Sequence, residues 1–381
     1  MIVYLIMLVL SILFLLLAER TEKKKLKILY YILSALPFFL VSAFRYDVGT
    51  DYITRYTYDF NTMVKGTDIP NLEIGFKTMV QIIIFFTTDP LPVFVISSAI
   101  IVGLVMATIF TKSKNMVLSI LIFFIGGFYF DSLNIMRQYI SISIVLFAYR
   151  FLLKERKQKI YYIIAVLIAT TFHSTSIIML ILVFLDKKML ANIKFVLPVA
   201  AIILILNQRL FDIIGFFIQN TRFNVYLTGK LSVGDVSIVL IFENIVLYLM
   251  MYYIYHKNKK KDNIQKEDIL FLNIEGITLL VIALGSVHML FLRIAFYFSM
   301  FQILSVPYYL SKLDGKELVE DIKKITKNKV NLVKIESKMV AIVTILVMSI
   351  FTVHFIRSYI FKDTNEVTPY KTVFAKDFEI K

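Results

Sequence analysis

Apart from its lysines, the residues that stand out as able to do chemistry at neutral pH gather at a handful of places. The stretch Arg45-Tyr46-Asp47-Val48-Gly49-Thr50-Asp51-Tyr52 packs one cation, two carboxylates and two phenols around a glycine. Gly49 permits a tight turn, which would bring Asp47 and Asp51 toward a common point where a hydroxyl is held or deprotonated. The alternative is a solvated loop whose charges pair locally at almost no energetic gain. Arg137 and Gln138 follow, then His173, and later His288 and Arg293. Arg137 and Arg293 each sit about one turn inside an apolar run, where a guanidinium offers phosphate oxygens a planar fork of donors. Each also fits an interfacial snorkel or an intramembrane salt bridge. His173, between Phe172 and Ser174, is placed to exchange a proton or donate a hydrogen bond, although a lone histidine more often plays a structural part. His288 has the same ambiguity.

The elements that carry these residues are set by lipid. The chain has 381 residues, 59% hydrophobic and only 18% charged, and its mean hydropathy is +0.77. Runs such as 2–18, 28–44, 236–255 and 339–361 reach the roughly 18 to 20 residues that cross a hydrocarbon core as a helix. Further spans are expected near 93–111, 116–130, 133–153, 195–206, 269–285 and 289–310. With the two arms of a short hairpin between Lys159 and Lys187, this predicts an all-α, polytopic, single membrane domain of about twelve transmembrane helices. The segment 73–89 is interrupted by Lys77 and Gln81 and ended by Asp89-Pro90-Leu91-Pro92, so it is read as interfacial. The hairpin carries His173 at its tip and is short or re-entrant.

Basic loops at 19–27, 154–159, 187–194, 256–266 and 311–338 assign those turns to the cytoplasm by the positive-inside rule. The loops at about 45–92 and 207–235 then face outward, as do Arg45, Asp47, Asp51, Arg137, His173, His288 and Arg293. The first run has no positive leader and no cleavage-site pattern, so it reads as a retained anchor. The net charge of +15 is explained by these topology signals rather than by nucleic acid. The stretch 311–338 reads either as a surface helix on anionic lipid or as a solvated linker. The absence of cysteine excludes disulfides and thiolate metal sites. No nucleotide-binding or zinc-protease motif occurs, and no metal site or cofactor is expected. A lipid-linked diphosphate is a fitting partner for the arginines.

By motif order the chain resembles the Wzy/EpsG-type polymerases of bacterial capsule and exopolysaccharide assembly, which are O-antigen polymerase-like. The landmarks are Arg45 to Tyr52, then Asn134-Ile135-Met136-Arg137-Gln138, then Phe172-His173-Ser174-Thr175-Ser176, then Arg293-Ile294-Ala295-Phe296-Tyr297-Phe298 ahead of Pro307. Ser141 departs from the small Ala that is common in that family after the Arg-Gln step.

The resemblance implies a GT-C-like, metal-independent glycosyltransferase of the hexosyltransferase type in the cytoplasmic membrane, with its active site facing outward. It would transfer a growing glycan from undecaprenyl diphosphate to a lipid-linked repeat unit. Arg137 and Arg293 would bind the diphosphate, with Arg45, Tyr52, Gln138 and His288 also at substrate, and Asp47, Asp51 or His173 would act on the acceptor hydroxyl. A flippase and a chain-length regulator are the implied partners, beside membrane lipid. An oligosaccharide ligase with the same donor is the alternative closest in kind. A transporter would place its charges at mid-membrane on helices broken by Gly or Pro, whereas this chain has only 12 Gly and 7 Pro.

Overall fold

The structure is a computed structural model that describes residues 1–188, 190–219, 236–326 and 333–378. Among these the chain is helical, and its only β pairing is an isolated bridge between Arg45 and Thr372. It forms two compact units, the first Met1–Val183 with Phe355–Lys381, the second Phe184–His354.

In the first unit α1 (Ile2–Arg20) and α2 (Lys24–Ala43) pair closely, and Ser34 on α2 donates to the Ser11 carbonyl at 2.8 Å. A π-helical stretch (Tyr52–Thr57), α3 (Tyr58–Val64) and α4 (Ile74–Phe86) follow. α5 (Leu91–Lys112) opens on the Asp89-Pro90-Leu91-Pro92 sequence. Proline is tolerated in a first turn because its missing N–H has no intrahelical partner there, and Asp89 accepts from the Leu91 N–H at 2.9 Å. α6 (Met116–Ile125) breaks into α7 (Phe128–Asn134) at a bend of 49°. Gly127 takes φ +82° at this break, and a Cβ there would lie 2.4 Å from the Tyr359 hydroxyl, so both backbone and space require glycine. α8 (Met136–Ala148) and α9 (Lys159–Phe172) pack together, and Ser174–Phe184 continues as a 3₁₀ helix. The expected short hairpin is present, with His173 at its turn.

The second unit contains α10 (Ile193–Ile205), α11 (Asn207–Ile218), α12 (Ile238–Lys260), α13 (Lys266–Gly285), α14 (Met289–Ser299), α15 (Gln302–Ser311), α16 (Gly315–Ile325) and α17 (Met339–Phe355). Gly276 on α13 lets the segment leading into α10 approach closely: a Cβ there would lie 2.5 Å from that of Ala191. α16 is amphipathic and tied to the end of α12, where Lys257 pairs with Asp321 and Lys261 lies 2.8 Å from Glu317. Of the loops expected at 207–235 and 311–338, residues 220–235 and 327–332 lie outside the described residues.

The structure does not establish the expected count of about twelve spans. Among the described residues six helices are long and apolar enough to cross a membrane, or up to nine if each of three bent pairs is one span. The remaining apolar helices, Ile74–Phe86, Lys159–Phe172 and Ser174–Phe184, have 17 residues or fewer. A 13-residue helix such as α4 measures only about 20 Å at 1.5 Å per residue, short of a hydrocarbon core of about 30 Å.

Candidate functional site

The loop after α2 is built around Arg45, which is 1% exposed. Its Nε donates to the Val48 carbonyl at 3.3 Å, Nη2 to the Leu133 carbonyl at 3.1 Å, and Nη1 to the Ser42 carbonyl. The guanidinium also lies 5.0 Å from the Phe94 ring centre and 5.8 Å from that of Tyr52. Burial lowers its pKa, and the facing Tyr52 phenol opposes that shift. Arg45 therefore braces the loop, with its fork spent on backbone carbonyls. Gly49, at φ +97°, brings the loop against Leu133, whose carbonyl oxygen would be 3.0 Å from an added Cβ.

The C-terminal segment clasps the same loop. Tyr46 N–H donates to Lys371 O at 3.0 Å, Gly49 N–H to Glu366 O at 3.1 Å, and Val373 N–H to Phe44 O at 3.0 Å. Asn134 completes the enclosure by accepting from Thr50 Oγ1 at 2.6 Å and from the Asp51 N–H at 3.0 Å. It donates onward to Asn365, which donates to Asp131 at 2.8 Å; Tyr359 reaches the same Asp131 oxygen at 2.7 Å. Asp131, half-buried at the centre of this network, carries no sequence motif.

The reactive groups that do meet are Arg137 and His173, and they meet at a third residue, Glu73. Arg137 Nη1 lies 2.6 Å from Glu73 Oε2, and His173 Nδ1 lies 3.3 Å from Glu73 Oε1. Their side chains are 18%, 17% and 16% exposed for Arg137, His173 and Glu73, so the trio is shielded yet reachable. The His173 approach is close but poorly aligned, leaving Nδ1 without a hydrogen bond of good geometry, so the Arg137 contact is the firmer of the two. Burial alone would raise the Glu73 pKa, but the facing imidazole and the Arg137 charge outweigh it and hold the carboxyl at about 2. Among the described residues, Glu73 is the only hydrogen-bond acceptor of the Arg137 guanidinium, which also lies 5.9 Å from the Phe76 ring centre.

Three features place the trio. Glu73 is the residue just before α4, and Gly75 in its first turn sits so near the end of α9 that a Cβ would lie 2.3 Å from Thr171 Oγ1. Ser141, one turn beyond Arg137 on α8, donates to the Ala169 carbonyl at 2.7 Å, and the His173 N–H donates to that same carbonyl at 3.1 Å. The departure at Ser141 thus ties the Arg137 helix to the His173 turn. Tyr56 receives the Arg137 N–H at 3.4 Å, and burial pushes its phenol up to about 12, so it stays protonated.

The other expected residues lie elsewhere. Asp47 adopts φ +51°, is exposed, and has Lys371 Nζ 3.9 Å away. Asp51 is half-buried at the start of the π-helical stretch, and its charge reaches Tyr56. Tyr52 stacks on Phe94 at 4.1 Å between ring centres, and Gln138 is buried on α8. His288 and Arg293 belong to the second unit: His288 caps α14, its Nδ1 accepting from the Leu290 N–H at 3.1 Å, and Arg293 is half-buried in that helix. Among the described residues no three His, Asp or Glu side chains are gathered to hold a metal ion.

Glu73 escaped the sequence reading because it opens a segment too short and too interrupted to count as a span. The available signal was a lone carboxylate immediately before an apolar run. The model of the EpsG family matches residues 27–372, a range that takes in the loop, the trio and the clasping segment up to Thr372. No curated protein and no solved structure matches the chain.

Proposed function

The chain belongs to the EpsG family, and from that premise we propose that it is a polysaccharide polymerase, transferring a growing glycan from a polyprenyl diphosphate to a lipid-linked repeat unit. The observation that carries this reading is the convergence of Arg137 and His173, from separate motifs, on Glu73. In the proposed reaction the acceptor hydroxyl oxygen attacks the anomeric carbon of the donor glycan. The bond from that carbon to the diphosphate breaks. The hydroxyl proton passes to His173, and the charge growing on the departing diphosphate is met by Arg137.

Glu73 has a part in both halves of this scheme. As a carboxylate against Nδ1 it favours the imidazolium that forms when the far nitrogen takes the proton, and it fixes the ring's orientation. It also holds Arg137 ready until a diphosphate competes for the fork. Arg45 has no ligand role in this scheme, because its donors are satisfied by backbone carbonyls. An outward-facing site in the cytoplasmic membrane, undecaprenyl as the carrier, a GT-C-like frame, and a flippase and a chain-length regulator as partners are parts of the same proposal.

Cells carrying Arg137→Ala should accumulate lipid-linked single repeats and lack long chains while the protein remains inserted. Arg137→Lys should restore little, because a point charge does not reproduce a planar fork. Arg293→Ala is the companion variant from the second unit. Long chains of normal length in Arg137→Ala cells would overturn the assignment.

A further inference from the structure

The second unit holds two carboxyl side chains inside its helices that the proposed reaction does not use. Glu243 on α12 is 3% exposed and Glu275 on α13 is 1% exposed. Both helices are long and apolar enough to cross a membrane. Ionisable groups in such positions are expensive and mark functional sites by default.

The two are not equally satisfied. Gln302 on α15 donates through Nε2 to both oxygens of Glu275, at 3.2 and 3.4 Å, and to Asn244 Oδ1 at 2.8 Å. Asn244 in turn donates to the Leu240 carbonyl at 2.8 Å. Glu243 Oε2 makes no hydrogen bond. The nearest group of opposite character is His354 Nδ1 on α17, at 3.9 Å, too far for a hydrogen bond but within reach of a charge pair. Among the described residues the titratable groups acting on Glu243 are Glu275 from α13 and His354 from α17. Ionising both carboxyls would set two like charges in apolar surroundings, and an oxygen left without a partner there must be answered by a proton or a cation.

An apolar cavity of about 460 Å³ is lined by Ile238, Val239 and Phe242 of α12 and by Ser349, Ile350 and Val353 of α17. Phe242 and Val353 are the chain neighbours of Glu243 and His354. Because no three carboxylate or imidazole ligands are gathered among the described residues, the arrangement suits a proton better than a metal ion.

We propose that Glu243 and His354 form a proton-exchange site inside the membrane, with Glu275 biasing it by like charge. The proton rests on the Glu243 carboxyl or passes to His354 Nδ1, leaving a carboxylate–imidazolium pair.

The test uses the purified full chain in nanodiscs and a hydrophobic carbodiimide, which converts a protonated buried carboxyl to a stable acylurea located by peptide mass spectrometry. Glu243 should be labelled at about pH 5 and progressively less toward about pH 9. The midpoint should fall by about one pH unit in Glu275→Gln, which removes the like charge, and rise by about one in His354→Gln, which removes the cation. Thermal unfolding verifies folding first, and if one variant fails it the other decides. Absence of label at Glu243 across that range, a midpoint unmoved in the folded variants, or protection by sodium at constant pH would each overturn the proposal.

Discussion

Arg137 Nη1 stands 2.6 Å from Glu73 Oε2, a carboxylate 64 residues earlier in the chain. The pair is partly buried, and buried pairs lose most when one partner is removed, since the survivor is left as an uncompensated charge. Glu73 is therefore the residue through which the organisation of the site can be read in solution.

Glu73 gives a pH signature. Its pKa is depressed from 4.5 in an unperturbed carboxyl to about 2 in the folded protein, so its contribution to stability is fully present above about 4.5 and is lost as pH falls through about 2. Because the His173 contact is poorly aligned, the contribution is on the order of 1–3 kcal/mol rather than the full amount that the shift implies. Thermal unfolding of Glu73→Gln in detergent should show a deficit against the parent that is constant from about pH 7 to about pH 5 and shrinks in more acid solution. A deficit independent of pH down to the acid limit would show that the carboxylate charge is not what holds the trio.

Arg45 should behave in the opposite way to Arg137. Arg45→Met leaves the carbonyls of Ser42, Val48 and Leu133 without their donor, at a cost of about 3 kcal/mol or more. The expected result is a marked fall in melting temperature, and a loss of chain extension that follows the unfolded fraction. An Arg45→Met protein that is fully stable yet inactive would return Arg45 to the list of ligand-binding groups.

At Gly75 the prediction concerns helix approach. Gly75→Ala would set a methyl 2.3 Å from Thr171 Oγ1 and 2.9 Å from the Thr171 carbonyl, pushing α4 off α9 and Glu73 away from His173. Chain extension should drop, and Gly75→Ala combined with Thr171→Ala should recover part of it, since only the side-chain clash is relieved. Full activity in Gly75→Ala alone would mean that the contact does not position the trio.

Much of the site was legible in the sequence as types and order, and much less of it as contacts. Arg137 and His173 stood out because each interrupts an apolar run, yet nothing along the chain revealed that α8 and α9 share the Ala169 carbonyl. Arg45 was visible as a charged residue in a polar loop, but its burial depends on carbonyls from three separate points of the chain. His288 reads as a reactive group in isolation and proves to be a helix cap, a role signalled only by its place just before an apolar helix. Hydropathy counts about twelve apolar segments, whereas six to nine helices among the described residues are long and apolar enough to cross, because a hydropathy sum does not fix how long each helix runs. Lys159–Phe172, one arm of the hairpin, is such a segment, with only 14 residues in its helix.

The measurement that tests the central claim most directly is reconstitution of the purified chain with a defined lipid-linked repeat unit, with products resolved on a gel. The parent protein should build a ladder of increasing length. Arg137→Ala and His173→Ala should leave the single repeat unextended, with rates lower by roughly 100-fold or more and unfolding temperatures near that of the parent. A normal ladder from either folded variant would contradict the account.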